Sequence, residues 1–212
     1  MTRGLFLSFE GGEGSGKSLQ AKRLNEALGA RGREVVLTRE PGGTPAGEQI
    51  REILLHAQEI ALSAEAQVLL YNSARAQNVR DVIRPALEAE KIVIADRFFD
   101  STFAYQGYGH GVARDAIRAV TALAVGPTVP DRTFLLDIPV TVGLARSGWR
   151  ARSTWDRFEV LDPAFHERVR QGYLELAASE PDRWVVVNAD RDPQAIAADI
   201  RREVDALLGT PA

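Results

Sequence analysis

The stretch LFLSFEGGEGSGKSLQ, residues 5–20, decides how the rest of the chain is read. Its apolar residues Leu5, Phe6, Leu7 and Phe9 read as a short buried strand, which breaks into a glycine-rich loop and then a helical pattern from Lys17 onward. Within it, Gly11-Gly12-Glu13-Gly14-Ser15-Gly16-Lys17-Ser18 fits the phosphate-binding pattern G-x-x-x-x-G-K-[ST]. Glycines let the backbone wrap a phosphate chain with its N–H groups turned inward, and the following helix adds its positive N-terminal dipole. Lys17 is then placed to reach the β- and γ-phosphates, and the Ser18 hydroxyl to ligate Mg²⁺. A glycine-rich turn can meet the pattern by chance, but here strand and helix lie on the correct sides of the loop.

Composition narrows the rest. At 212 residues with no abrupt compositional shift, one domain spanning residues 1–212 is expected. The net charge of −3 offers no general attraction to a nucleic acid polymer or an anionic membrane, so anion recognition must come from local clusters. No apolar run approaches the roughly 18 residues that span a bilayer, and the N-terminus is too quickly interrupted for a signal peptide; the expected location is cytoplasmic. The absence of cysteine excludes disulfides, thiolate metal sites and thiol nucleophiles. His56, His110 and His166 are far apart in sequence and read as surface or core residues.

Following the loop, a helix over residues 19–30 leads to a second strand over 34–38 and then to Arg39-Glu40-Pro41-Gly42-Gly43-Thr44-Pro45, too rich in proline and glycine for regular structure. Arg39 stands at a strand end, where open α/β sheets bind ligands. Helices are expected over 46–56 and, longer, over 63–90, where Leu69, Ala76, Ile83 and Leu87 form the expected core stripe and Tyr71, Arg75 and Asn78 the opposite face. A ring one turn from a guanidinium can be a platform for a flat polar ligand, or a tyrosine covering another layer beside a solvated arginine. The third strand, over 91–97, ends in Asp96, placed to hold Mg²⁺, and Arg97, facing the phosphate region; the weaker alternative is a pair of solvated strand-end charges. The run from Ser101 and Thr102 to Tyr105, Gln106 and Gly109 suits a wall that hydrogen-bonds a small ligand. Further helices are expected over 113–124, from Pro139, over 163–178 and over 193–208, with strands over 133–137 and 184–188. Between residues 146 and 157, RSGWRARSTWDR carries four arginines against one acid and reads as a lid segment closing over phosphates.

Five strands alternating with helices, the first feeding a phosphate loop, predict an α/β fold: a P-loop NTPase-type, doubly wound, five-stranded parallel sheet flanked by helices, with a small lid. Phosphoryl transfer asks for positioning and charge neutralisation more than for proton-abstracting groups. If the acceptor is a nucleoside monophosphate, dianionic above its second pKa of about 6, no general base is needed, and Lys17, Arg97, Arg150 and Arg152 with Mg²⁺ are the expected catalytic cations.

Six blocks, FEGGEGSGKS, TREPGGT (38–44), SARAQ (73–77), ADRF (95–98), AYQG (104–107) and DRFE (156–159), resemble thymidylate kinase, in order and over nearly the whole chain. The resemblance implies transfer of the ATP γ-phosphate to dTMP, giving dTDP, in a homodimer. It implies ATP phosphates on residues 11–18, Glu13 facing the sugar end of dTMP, Arg39 and Arg97 at the dTMP phosphate, Tyr71 stacked on thymine and Arg75 at the base edge. Ser101, Thr102, Tyr105 and Gln106 would line the deoxyribose and base, with Tyr105 favouring a sugar without the 2′-hydroxyl. The phosphate loop holds no arginine and the lid several, which is similar to the bacterial type that keeps its catalytic arginine in the lid. Leu19 stands where a second hydroxyl residue is usual, and Trp149 and Trp155 are unusual among the lid arginines. A kinase for another nucleoside monophosphate is the alternative; a nucleotide-dependent switch is a weaker one, since no N-K-x-D or D-x-x-G element occurs.

Overall fold

Five short apolar runs form β1 (Phe6–Glu10), β2 (Val35–Arg39), β3 (Ile92–Asp96), β4 (Arg132–Asp137) and β5 (Trp184–Asn188) in the computed structural model, which describes residues 3–57, 59–147 and 162–209. They make one sheet in the order β2-β3-β1-β4-β5 with every pairing parallel, the α/β architecture expected from the sequence. Parallel strands need helical crossovers that cover both faces, so the central strand β1 is buried at all five positions.

Successive β1 side chains point to opposite layers. Leu7 and Phe9 pack with Ala21, Leu24 and Leu28 of α1 (Lys17–Gly29) and with the last helix of the chain through Ile196, Ile200 and Val204. Phe6 packs on the other side, and Ser8 and Glu10 share that side by parity. This second layer is built by α2 (Pro45–Arg51), α3 (Ala64–Asn78), α4 (Arg84–Glu88), α5 (Phe99–Thr102) and α6 (Arg114–Val125). The chain then runs through α7 (Val140–Ser147), α8 (Pro163–Ser179), which joins the second layer through Phe165, Val169 and Tyr173, and α9 (Pro193–Leu207). Helix starts carry their own signals: Thr44, Ser63, Asp162 and Asp192 accept from free N–H groups, and Pro45, Pro163 and Pro193 occupy first-turn positions.

The long helix expected over 63–90 forms, but its inferred core stripe needs correction. Leu69 is 56% exposed, whereas Arg75 and Asn78, assigned to the opposite face, are 1% and 0% exposed. The physical reason within α3 is Glu40, which accepts from Arg75 and Asn78 and lets their polar face turn inward while Leu69 faces solvent. A wider π-helical turn at Val79–Ile83 then joins α3 to α4, where Ile83 and Leu87 are buried. The stripe that is buried runs Val68, Asn72, Arg75, Val79, Ile83 and Ala86. Similar turns at Glu52–His56 and Phe103–Gly109 end α2 and α5. His56 and His110 are exposed and His166 is buried.

Candidate active site

The loop between β1 and α1 is pinned from outside. Gly14 has φ of +66°, and a Cβ there would stand 1.9 Å from the Gly143 carbonyl oxygen of α7, so both conformation and contact demand glycine. Lys17, 7% exposed, donates through Nζ to the Gly12 carbonyl at 2.8 Å, and Ser15 Oγ donates to the same oxygen at 2.9 Å. Burial and the neighbouring Arg97 hold the Lys17 ammonium down at about 8, against the pull of Glu13, Asp96 and Glu10. Ser18 Oγ donates to Asp96 Oδ2 at 2.5 Å across the mouth of the cleft. A hydroxyl and a carboxylate side by side at a phosphate loop are a hard-oxygen pair suited to Mg²⁺, which completes its shell with water and phosphate oxygens. No cluster of three or more metal-ligating carboxylates or imidazoles occurs among the described residues.

Beneath the loop lies a network centred on Arg97. This residue has φ of +69°, an uncommon conformation for a side chain other than glycine. Its N–H donates to the Phe9 carbonyl at 3.0 Å, and the next N–H, of Phe98, donates to Glu10 Oε1 at 2.7 Å. The guanidinium then donates to the Gly11 carbonyl (3.1 Å), Ser101 Oγ (3.2 Å), Tyr173 OH (3.2 Å), Glu13 Oε1 (3.0 Å) and Tyr105 OH (3.1 Å). Ser101 and Tyr173 in turn donate to Glu10 Oε2 at 2.6 and 2.9 Å. When Glu10 is ionised it only accepts, and those two hydroxyls are left with lone pairs turned toward Arg97. Burial and the Asp100 carboxylate push the Glu10 carboxyl up to about 7, with Arg97 pulling it back. For Glu13, burial raises but the Arg97 and Lys17 cations prevail and hold it at about 2. Burial pushes the Tyr105 and Tyr173 phenols well above their usual range, so both remain hydroxyl donors.

From this network a cleft of about 240 Å³ runs toward α3. Its wall holds Tyr71, Arg75, Thr102 and Gln106 away from the loop, and Lys17, Ser18, Arg39, Asp96 and Arg97 near it. Arg75 is tied down on several sides: Nε donates to Glu40 (2.7 Å), one terminal nitrogen to Asn72 (2.9 Å), the other to Thr102 (3.1 Å) and the Phe98 carbonyl (3.3 Å). Arg39 is exposed at the mouth and pairs with Glu48 at 2.9 Å.

All the acceptor-side residues expected from the sequence, Glu13, Arg39, Tyr71, Arg75, Arg97, Ser101, Thr102, Tyr105 and Gln106, border this one cleft. Thr102 does so chiefly as a partner of Arg75. Arg150 and Arg152 lie outside the described residues. Sequence reasoning missed Glu10, Glu40, Gln67, Asn72 and Tyr173. For Glu10 a signal existed: its parity with Phe6 on a strand buried on both faces puts a carboxylate in the core one residue before the glycines.

A parallel sheet with a glycine cradle, a buried lysine at its helix and a cation-lined cleft opposite defines a P-loop phosphotransferase. The comparisons narrow this class. The family model "Thymidylate kinase" matches residues 9–200. Thymidylate kinase of Caulobacter vibrioides is 47% identical over 209 residues, covering 99% of this chain and 100% of that one. That of Desulfovibrio desulfuricans is 44% identical over 209 residues, covering 96% of each. A crystal structure of thymidylate kinase from Ehrlichia chaffeensis superposes with a TM-score of 0.74 at 33% identity, over 95% of this chain and 98% of the other. The chain belongs to the thymidylate kinase family.

Proposed function

We propose that this chain transfers the γ-phosphate of ATP to dTMP, giving ADP and dTDP, as a single P-loop kinase domain with a lid over residues 146–157. The observation that carries the reading is the polarity of the cleft. One end has Lys17, Arg39 and Arg97 around a glycine cradle, and the other has a buried guanidinium and a carboxamide beside an aromatic ring. Gln106 Oε1 has no partner among the described residues, and Arg75 offers only donors. An acceptor and a donor in one wall complement the N3–H and O4 of thymine, whereas cytosine presents the opposite pair. Tyr71 supplies the stacking face, and Tyr105, bonded to Glu13 at 2.6 Å, crowds the sugar.

In this reading the acceptor phosphate is its own nucleophile. Glu13, held at about 2, is a poor proton acceptor, and no histidine stands among the described residues lining the cleft. The chain's task is to bring two polyanions into line: loop N–H groups and Lys17 hold the donor, and Arg39 and Arg97 hold the acceptor. Arg150 or Arg152 of the lid would neutralise the transferred phosphoryl group. Mg²⁺, held by Ser18 and Asp96, would supply charge neutralisation at the phosphates. Exposed Leu69 on α3 and Leu123 on α6, 56% and 88% exposed, suit a homodimer, which sedimentation equilibrium would detect as twice the chain mass. No described helix is long and apolar enough to cross a membrane, and a cytoplasmic location is part of the proposal. The decisive experiment is ADP release with dTMP, dUMP, dCMP, dGMP and AMP; dTMP should give the highest kcat/KM, and preference for any other acceptor overturns the assignment.

A further inference from the structure

Gln67 on α3 is 4% exposed, and Gln106 in the cleft wall is 1% exposed. The Nε2 of Gln67 donates to the Leu62 carbonyl at 3.3 Å, so its Oε1 is the atom turned toward Gln106, whose Nε2 donates to it at 3.2 Å. The chain of bonds starts at a backbone carbonyl, which can only accept. Turning the Gln67 amide over would lose that bond and set two NH₂ groups against each other. The direction therefore propagates: a fixed Gln67 fixes Gln106, and Gln106 Oε1 is the group left over, buried and without a partner among the described residues. A buried acceptor without a donor is unfavourable until something supplies one.

We infer that Gln67, which does not line the cleft, is a positioning residue that sets pyrimidine specificity by locking the Gln106 carboxamide with its oxygen toward the base. The inference rests on the reading of the cleft as a dTMP site. With the amide locked, a base whose ring nitrogen donates, as in a 4-keto pyrimidine, satisfies Gln106, while one whose ring nitrogen accepts meets a second acceptor. Without the lock, Gln106 can turn over and present its NH₂, which suits the amino-pyrimidine.

The test compares kcat/KM for dTMP, dUMP and dCMP in the parent enzyme, Gln67→Leu and Gln67→Glu. Leucine removes both bonds; glutamate, ionised or protonated, still offers Gln106 an acceptor, which keeps its amide in orientation. The dTMP:dCMP ratio should fall about tenfold in Gln67→Leu, roughly the discrimination one hydrogen bond provides, and stay near the parental value in Gln67→Glu. The dTMP:dUMP ratio should hold in both, because those bases share the same polar edge. Should Gln67→Leu fail to fold, Gln67→Met, which also lacks both bonds, reads the same ratio. Loss of dTMP turnover with an unchanged dTMP:dCMP ratio would assign Gln67 to packing alone and overturn the inference, as would a Gln67→Glu enzyme as permissive as the leucine variant. A parent enzyme that does not prefer dTMP to dCMP overturns the cleft assignment itself, and this inference with it.

Discussion

Replacing Glu10 by glutamine should change how stability depends on pH. Glu10 is fully buried, accepts from the Phe98 N–H, Ser101 and Tyr173, and faces the Asp100 carboxylate and the Arg97 guanidinium. Burial, then Asp100, push its carboxyl from 4.5 up to about 7, with Arg97 opposing. Between those values the folded chain holds a proton that the unfolded chain has released. The associated stability is fully present below about pH 4.5 and is lost as pH rises through about 7. Two and a half pH units correspond to about 3 kcal/mol. Glutamine has nearly the shape of the protonated acid and no proton to lose, so the stability difference, parent minus Glu10→Gln, should fall by about 3 kcal/mol between pH 4.5 and 7.5. Urea unfolding of both proteins at half-unit steps of pH measures that difference, and contributions from groups that do not interact with Glu10 cancel in the subtraction. A difference curve flat across the window would mean that Glu10 ionises like a surface carboxylate, and the argument from its burial would be refuted.

Glu40→Ala should destabilise the fold by about 3–5 kcal/mol in urea unfolding, because Arg75 and Glu40, 1% and 3% exposed as side chains, would become one buried charge without its partner. A loss under about 1 kcal/mol would show that the Arg75 cation is satisfied without its carboxylate. Lys17, held at about 8 by burial and Arg97, must be protonated to meet a triphosphate. ATP affinity should therefore fall as pH rises above about 8, approaching tenfold per unit, with proton uptake seen by calorimetry in two buffers of different ionisation enthalpy. Constant affinity to pH 9.5 without proton uptake would contradict the low value.

The fold and the phosphate end of the site were legible because both are written in local pattern. Each strand is a short apolar run closed by a turn, and the five appear within one or two residues of expectation. The loop motif carries its geometry in its glycines. The far end of the cleft was only partly legible. In the sequence, Tyr71 and Arg75 fit a ligand platform and a solvated arginine beside a packed tyrosine equally well, on the face opposite the expected core stripe. Polarity was a misleading guide here, because Arg75 and Asn78 are satisfied by Glu40, a loop residue 35 and 38 positions away. Such partners are long-range facts, invisible to a periodicity argument, and the π-helical turn that changes the helix phase has no simple sequence mark. The Gln67–Gln106 pair hides for the same reason.

The two ends of the cleft also differ in how far they are prepared for their ligands, and this bears on catalysis. Arg97 is held by five acceptors before any substrate arrives, its backbone kept in an uncommon conformation by Phe9 and, through the Phe98 N–H, Glu10. A cation fixed in this way needs little reorganisation as charge develops on the phosphates. Lys17 is the opposite case: its ammonium rests on the Gly12 carbonyl and, more weakly, on Ser15, part of the loop that must wrap the donor. On the proposed reading it exchanges those oxygens for phosphate oxygens when the donor binds. That exchange favours a polyphosphate over smaller anions, since a weakly charged ligand could not repay the lost bonds or raise the lysine's proton affinity. On the proposed reading, the acceptor side is thus organised for orientation and the donor side for selection by charge, a division that suits moving a phosphoryl group between two nucleotides.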